Sequence, residues 1–205
     1  PSLNFTLEDL PKDWIIKKNG SIDKNQFQIE RQFDRPSLKI TAGKNSFLVV
    51  RRTRAVMMAT PYLSWSWFIE TPSTRGTHPV HLVIGFNGGD PASQNSKGQL
   101  LDSLGRSLPK HDRKIHLTWA DSALQRGTFN SKLSNELHLS KLYTVRGGRE
   151  NTGSWWFETV DLSDLYVRNW PKDQITQVQI VYIGIAAHKT KLPESAILAD
   201  ITLSR

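Results

Sequence analysis

The chain has 205 residues, 38% hydrophobic and 22% charged, with a formal net charge of +8; that is enough apolar material for one large core and too much for a disordered chain. It has no cysteine, which excludes disulfides, zinc–thiolate centres and thiol nucleophiles. No apolar run approaches the ~18 residues of a membrane-spanning helix. The basic clusters "RRTR" (51–54), "KHDRK" (110–114), "VRGGR" (145–149) and "HKTK" (188–191) lie at strand ends and turns, not interleaved with aromatics as on a nucleic-acid surface.

Short alternating segments punctuated by Gly, Pro, Asn and Asp dominate, without repeats or linkers. "PSLKITA" (36–42) and "SFLVVRR" (46–52) flank a "GKN" turn and read as a hairpin or adjacent strands. "YLSWSWFIE" (62–70) puts Leu63, Trp65, Trp67 and Ile69 on one face and Tyr62, Ser64, Ser66, Phe68 and Glu70 on the other. "VHLVIGFN" (80–87) and "KIHLTWAD" (114–121) repeat the pattern, with His81 and His116 opposite the apolar sides. The polar segment 88–112 between them reads as a long loop and a candidate lid. Strands follow at 141–147, 154–162, 178–187 and 196–204, with one helical turn at 161–170 capped by Asp161 or Ser163 and stopped by Pro171.

Many short strands with almost no helix predict a single all-β domain over 1–205, an antiparallel β-sandwich of jelly-roll, galactose-binding-like type with at most one or two short helices. A parallel α/β fold would need a helix between successive strands. In such a sandwich a Leu-Trp-Trp-Ile face turns inward, so Trp65 and Trp67 read as core.

If these strands lie side by side, the opposite faces form a shallow concave sheet of small, polar and aromatic residues: Ser64, Ser66, His81, His116, Trp156 and Glu158. Such a surface suits a sugar, whose C–H face stacks on an aromatic ring while its hydroxyls bond polar side chains. His81 and His116 also read as surface or satisfied buried histidines, and with Glu158 as a two-histidine, one-carboxylate metal triad. A glycan-active lyase or hydrolase is the alternative, with Glu158 and His81 or His116 as acid and base. A glycosidase would need two facing carboxylates, which Glu70, Asp90, Asp121 and Glu158 could supply without any spacing singling out a pair. The third reading is an envelope assembly protein that uses a sheet edge.

"NFTLEDLPKDW" (4–14) resembles the opening of galactose-binding-like and carbohydrate-binding sandwich modules, and "ILADITL" (197–203) their closing strand. "PYLSWSW" (61–67), "NTGSWWFETVDL" (151–162) and "YIGIAAHKTKLPESAILADI" (182–201) resemble a bacterial envelope family defined as a domain of unknown function. That resemblance implies a sandwich fold and no established activity. Where relatives carry an Asp/Asn/Thr/Gly-rich turn, this chain has "HKTKLPES". The modules imply a structural Ca²⁺ at the matching Glu8 and Asp200, against the alternative that Asp200 bonds nearby backbone or a basic side chain.

The expected protein is therefore a non-catalytic glycan-binding sandwich. The absence of cysteine, and an opening at Pro1 without a signal segment, fit a trimmed periplasmic or secreted form.

Overall fold

The computed structural model describes residues 9–32, 35–90, 107–130 and 139–205. Its strands in chain order are β1 (Trp14–Lys18), β2 (Phe27–Gln32), β3 (Arg35–Ala42), β4 (Phe47–Val56), β5 (Tyr62–Ile69), β6 (Val80–Asn87), β7 (Arg113–Ala120), β8 (Phe129–Asn130), β9 (Ser140–Gly147), β10 (Trp155–Asp161), β11 (Gln179–Ala187) and β12 (Glu194–Ser204); helix α1 spans Leu162–Asn169. They form a seven-stranded sheet, β1-β4-β11-β6-β7-β9-β8, facing a five-stranded sheet, β10-β5-β12-β3-β2. The chain crosses repeatedly between the two sheets, as in a jelly roll. Among the described residues no helix is long and apolar enough to cross a membrane.

The inward faces are the apolar sides of the alternating strands. Leu63, Trp65, Trp67 and Ile69 of β5 meet Leu82, Ile84 and Phe86 of β6 and Ile115, Leu117 and Trp119 of β7 in one buried core. Trp67 stands edge-on to Trp65 and to Trp119 of the opposite sheet, with ring centroids 5.5 Å apart in both pairs. Such T-shaped contacts set the positive ring edge against the negative face. The indole N–H groups of Trp65 and Trp67 are buried without an acceptor, so these rings are held by packing and area, not by hydrogen bonds.

A smaller apolar cluster lies on the outer side of the seven-stranded sheet, where Ile15, Val50, Val83, Tyr182 and Ala186 pack with Leu108. Gly85 makes this possible: a Cβ there would stand 2.2 Å from the Tyr182 ring, its cross-strand neighbour.

Three features differ from the sequence reading. Segments 36–42 and 46–52 are not paired: β3 joins the five-stranded sheet and β4 the seven-stranded one. Alternation has the same period in a hairpin and in an arch between sheets, so the pattern cannot distinguish them. Secondly, β7 and β9 run parallel within the otherwise antiparallel seven-stranded sheet. Thirdly, β1, β2 and β8 were not foreseen. In β1 the alternation vanishes because Trp14 and Ile16 face the main core while Ile15 faces the outer cluster.

Helix α1 forms where expected. Asp161 accepts hydrogen bonds from the Ser163 and Asp164 amides at 2.9 and 3.0 Å, and Leu162, Leu165 and Tyr166 bury its inner side. Tyr166 donates to Asp173 at 2.7 Å, and Arg113 grips the same carboxylate with two bonds of 2.9 and 3.0 Å, tying the helix to β7.

Trp67→Ala should cost about 3–5 kcal/mol of unfolding free energy, as large-to-small changes in cores do. Trp65→Phe, which removes an unsatisfied N–H along with part of the ring, should cost about 1.5 kcal/mol or less. Urea unfolding followed by tryptophan fluorescence measures both, and equal losses would contradict this division.

Candidate functional site

The six residues proposed from sequence as one groove divide among three places. β5 and β10 are neighbours in one sheet, whereas β6 and β7 are neighbours in the other. Ser64 and Ser66 lie on the solvent side of the five-stranded sheet; His81 and His116 lie on the outer side of the seven-stranded sheet, across the core. The single concave groove is thereby corrected: alternation fixes the face of each residue within its strand but not the sheet to which the strand belongs.

Trp156 and Glu158 occupy the third place. They pair in register with Trp67 and Trp65 and so point inward with them. Glu158 is 4% exposed. It accepts a hydrogen bond from Arg146 of β9, and Arg126 stands 3.8 Å away. The Arg146 guanidinium sits 3.8 Å above the Trp156 ring, and the Trp156 indole N–H donates to the Asn151 carbonyl at 2.7 Å. This is a buried ion pair roofed by a cation–π contact, which joins β10 to the opposite sheet. It displaces Glu158 and Trp156 from any ligand surface on the outer side of either sheet.

The residues on the outer side of β5 and β10 are Tyr62, Ser64, Ser66 and Phe68, beside Trp155, Phe157 and Thr159, with Ser66 itself buried beneath its neighbours. Phe157 is 66% exposed and Tyr62 40%, while Phe68 and Trp155 are half-buried with ring centroids 6.0 Å apart. Between them the Ser64 and Thr159 hydroxyls are hydrogen-bonded at 2.8 Å. On the next strands Ser37 and Ala199 lie on the same side but are buried, and Lys39 pairs with Glu70 at 2.9 Å. The result is a floor of small residues flanked by aromatic rings. The sequence pattern put Tyr62 and Phe68 on the same face as Ser64 and Ser66, but it turned Trp156 and Glu158 of β10 toward the ligand, where the register on β5 brings out Trp155 and Phe157 instead.

On the far side His81 and His116 meet a residue the sequence reading passed over, His188, which follows β11. His81 and His188 have ring centroids 4.6 Å apart, and His81 and His116 5.7 Å. Burial disfavours the charged form of each ring: His116 is lowered to about 3, and His81 and His188 move in the same direction, with mutual repulsion adding to the effect at His81. His78, buried just before β6, is lowered to about 4 by the same desolvation, against the pull of Glu70.

A cleft of about 650 Å³ opens between the sheets, lined by Trp14, Leu38, Arg51, Ile183 and Leu198. Asp200 stands on its rim, at a strand irregularity where β12 shifts register against β5 and its own φ is +55°. An aspartate tolerates this left-handed conformation better than most residues. Its carboxylate pairs with Arg35 at 3.5 Å, the kind of bonding offered above as the alternative to calcium. Glu8 and most of the loop considered as a lid lie outside the described residues.

The comparisons with known proteins follow this picture. The fold resembles that of the family 11 carbohydrate-binding module of the cellulosomal cellulase Lic26A-Cel5E of Clostridium thermocellum, at 7% identity over 99% of this chain and 93% of that one, with a TM-score of 0.47. A family 11 module from that organism in complex with a β-1,3-1,4-mixed-linked tetrasaccharide aligns at 8% identity over 98% and 92% of the chains, with a TM-score of 0.44. Endoglucanase cel12A from Rhodothermus marinus aligns at 7% identity over 93% and 98%, with a TM-score of 0.47. These are likenesses of sandwich shape alone. No curated protein matches the chain in sequence.

The buried histidines predict how stability depends on pH. Unfolded rings take up protons near pH 6.5, whereas the folded rings stay neutral well below that value, so the unfolded state binds more protons as the pH falls. Stability should be complete above about pH 6.5 and be lost progressively below it, by up to about 1.4 kcal/mol per pH unit for each histidine. Urea midpoints measured from neutral pH down to about 4.5 should fall steadily, and a flat profile would show that these rings protonate freely in the folded protein.

A family model described as "Protein of unknown function (DUF3047)" matches residues 12–202, nearly the whole chain, and the protein therefore belongs to the DUF3047 family.

Proposed function

We propose that the protein is a non-catalytic glycan-binding sandwich, and that its binding surface is the solvent face of β5 and β10. The observation that carries this reading is the set of four aromatic side chains, Tyr62, Phe68, Trp155 and Phe157, on the outer side of the sheet around the hydroxyls of Ser64 and Thr159. Large apolar rings on a sheet face lose solvation free energy unless something covers them. A pyranose is a fitting cover: its C–H face stacks on a ring and its hydroxyls exchange hydrogen bonds with serine and threonine. The periplasmic or extracellular location expected from the sequence accords with this reading, because polymeric glycans are met there.

Binding is favoured over turnover by what the carboxylates do. Glu70 is paired with Lys39, Asp90 with Arg113, Asp121 with Arg149 and Glu158 with Arg146, at four separate places in the chain. Glu158 points inward between the sheets, whereas the two histidines named with it as an acid–base set lie on the outer side of the seven-stranded sheet.

A glycan array covering neutral and acidic oligosaccharides tests the proposal. A saturable, salt-resistant hit is expected, weakened about 10-fold or more by Phe157→Ala and by Trp155→Ala, as loss of a stacking ring implies. Glu158→Gln should lower stability and leave affinity unchanged. Binding confined to acidic glycans at low salt would reduce the interaction to the net charge, and an empty array would refute the proposal.

A further inference from the structure

The histidines on the outer side of the seven-stranded sheet come from three separated parts of the chain: His81 from β6, His116 from β7 and His188 from the turn after β11. Register brings them together, because β6 lies between β11 and β7, with Ala186 opposite His81 and Val83 opposite His116. A nitrogen from each ring can be chosen such that all three lie within 4.8 Å of one another. His81 is 3% exposed. Nδ1 of His81, Nδ1 of His116 and Nε2 of His188 are all buried without a hydrogen-bond partner. One unsatisfied buried nitrogen calls for an explanation; three on rings that meet one another call for a common one.

We propose that His81, His116 and His188 form a three-histidine site for a divalent late transition metal, with zinc the foremost candidate. Three imidazoles without a carboxylate suit zinc, copper, nickel or cobalt and not the oxygen-seeking calcium or magnesium. Tetrahedral ligands at zinc–nitrogen distances of 2.0–2.1 Å stand about 3.3 Å apart, so the rings need to close only by small side-chain rotations. Rings held neutral by burial are in the form that ligates. Lys114, two residues from His116 on the same side, is the charge that opposes a cation there. With three protein donors, the fourth tetrahedral position falls to a non-protein ligand. The site is independent of the glycan surface, from which it is separated by the full thickness of the core.

The test is to titrate the full chain, stripped with chelator, with Co²⁺ followed by visible absorption, and with Zn²⁺ followed by calorimetry and thermal melting. One ion per chain, a tetrahedral cobalt spectrum bleached by Zn²⁺, and a melting temperature raised by Zn²⁺ but not by Ca²⁺ are expected. Loss of an outer-shell contact costs 10–100-fold in affinity, so His188→Ala should weaken zinc binding by at least about 100-fold, and His111→Ala should leave it unchanged. Should His188→Ala fail to fold, imidazole ¹⁵N spectra of the unaltered protein decide: Zn²⁺ must shift the rings of His81, His116 and His188 and spare those of His78 and His111. Substoichiometric binding, affinity unchanged in His188→Ala, or zinc-induced shifts elsewhere would overturn the proposal and leave a water-filled pocket as the explanation of the three nitrogens.

Discussion

The interlock of Trp65 and Trp67 with Trp119 is the contact on which the other features depend. It joins β5 of the five-stranded sheet to β7 of the seven-stranded one through edge-to-face contacts at 5.5 Å. Because side chains alternate strictly along a strand, fixing these rings inward also fixes what faces out. Trp65 and Trp67 inside put Ser64, Ser66 and Phe68 on one outer surface. Ile115, Leu117 and Trp119 inside put His116 on the other. The two surfaces are consequences of one packing decision and differ in chemistry: hydroxyls between exposed aromatic rings on one side, a nest of neutral imidazoles beside an apolar cluster on the other.

Much of this was legible in the sequence. The strands from 36 to 204 other than β8, the inward tryptophans, the helix beginning at Asp161 and the two-sheet architecture follow from periodicity and capping, which are local. What was illegible is non-local. Alternation shows that Trp155 and Trp156 point to opposite sides, but only the register of β10 on β5 shows that Trp156 is the inner one. His81 and His116 read as members of one groove with Glu158 because nothing in a sequence tells which sheet a strand joins. His188 gave no signal, since it stands in the turn "HKTKLPES", whose departure from the family pattern cast doubt on a site there. It becomes meaningful only when β11 is seen beside β6.

The same topology gives the buried carboxylates structural roles, including Glu158, which had read as a candidate acid or base. Glu158 is held by Arg146 beneath the core, and Asp173 by Arg113 and Tyr166 at the helix junction. Glu194 accepts from the Ser73 and Thr74 amides and secures the loop after β5. Such buried carboxylates would cost several kcal/mol if left unpaired, and their partners fix where strands and loops sit.

The central claim is that the solvent face of β5 and β10 binds a glycan while the tryptophans beneath it do not take part. The most direct measurement is a ¹H–¹⁵N spectrum of the indole N–H groups of the seven tryptophans, recorded as the best-bound oligosaccharide is added. The account predicts that the Trp155 signal moves in a saturable way while those of Trp65, Trp67 and Trp119 stay fixed. A shift of Trp14 with Trp155 unmoved would place the ligand in the cleft between the sheets and contradict the account.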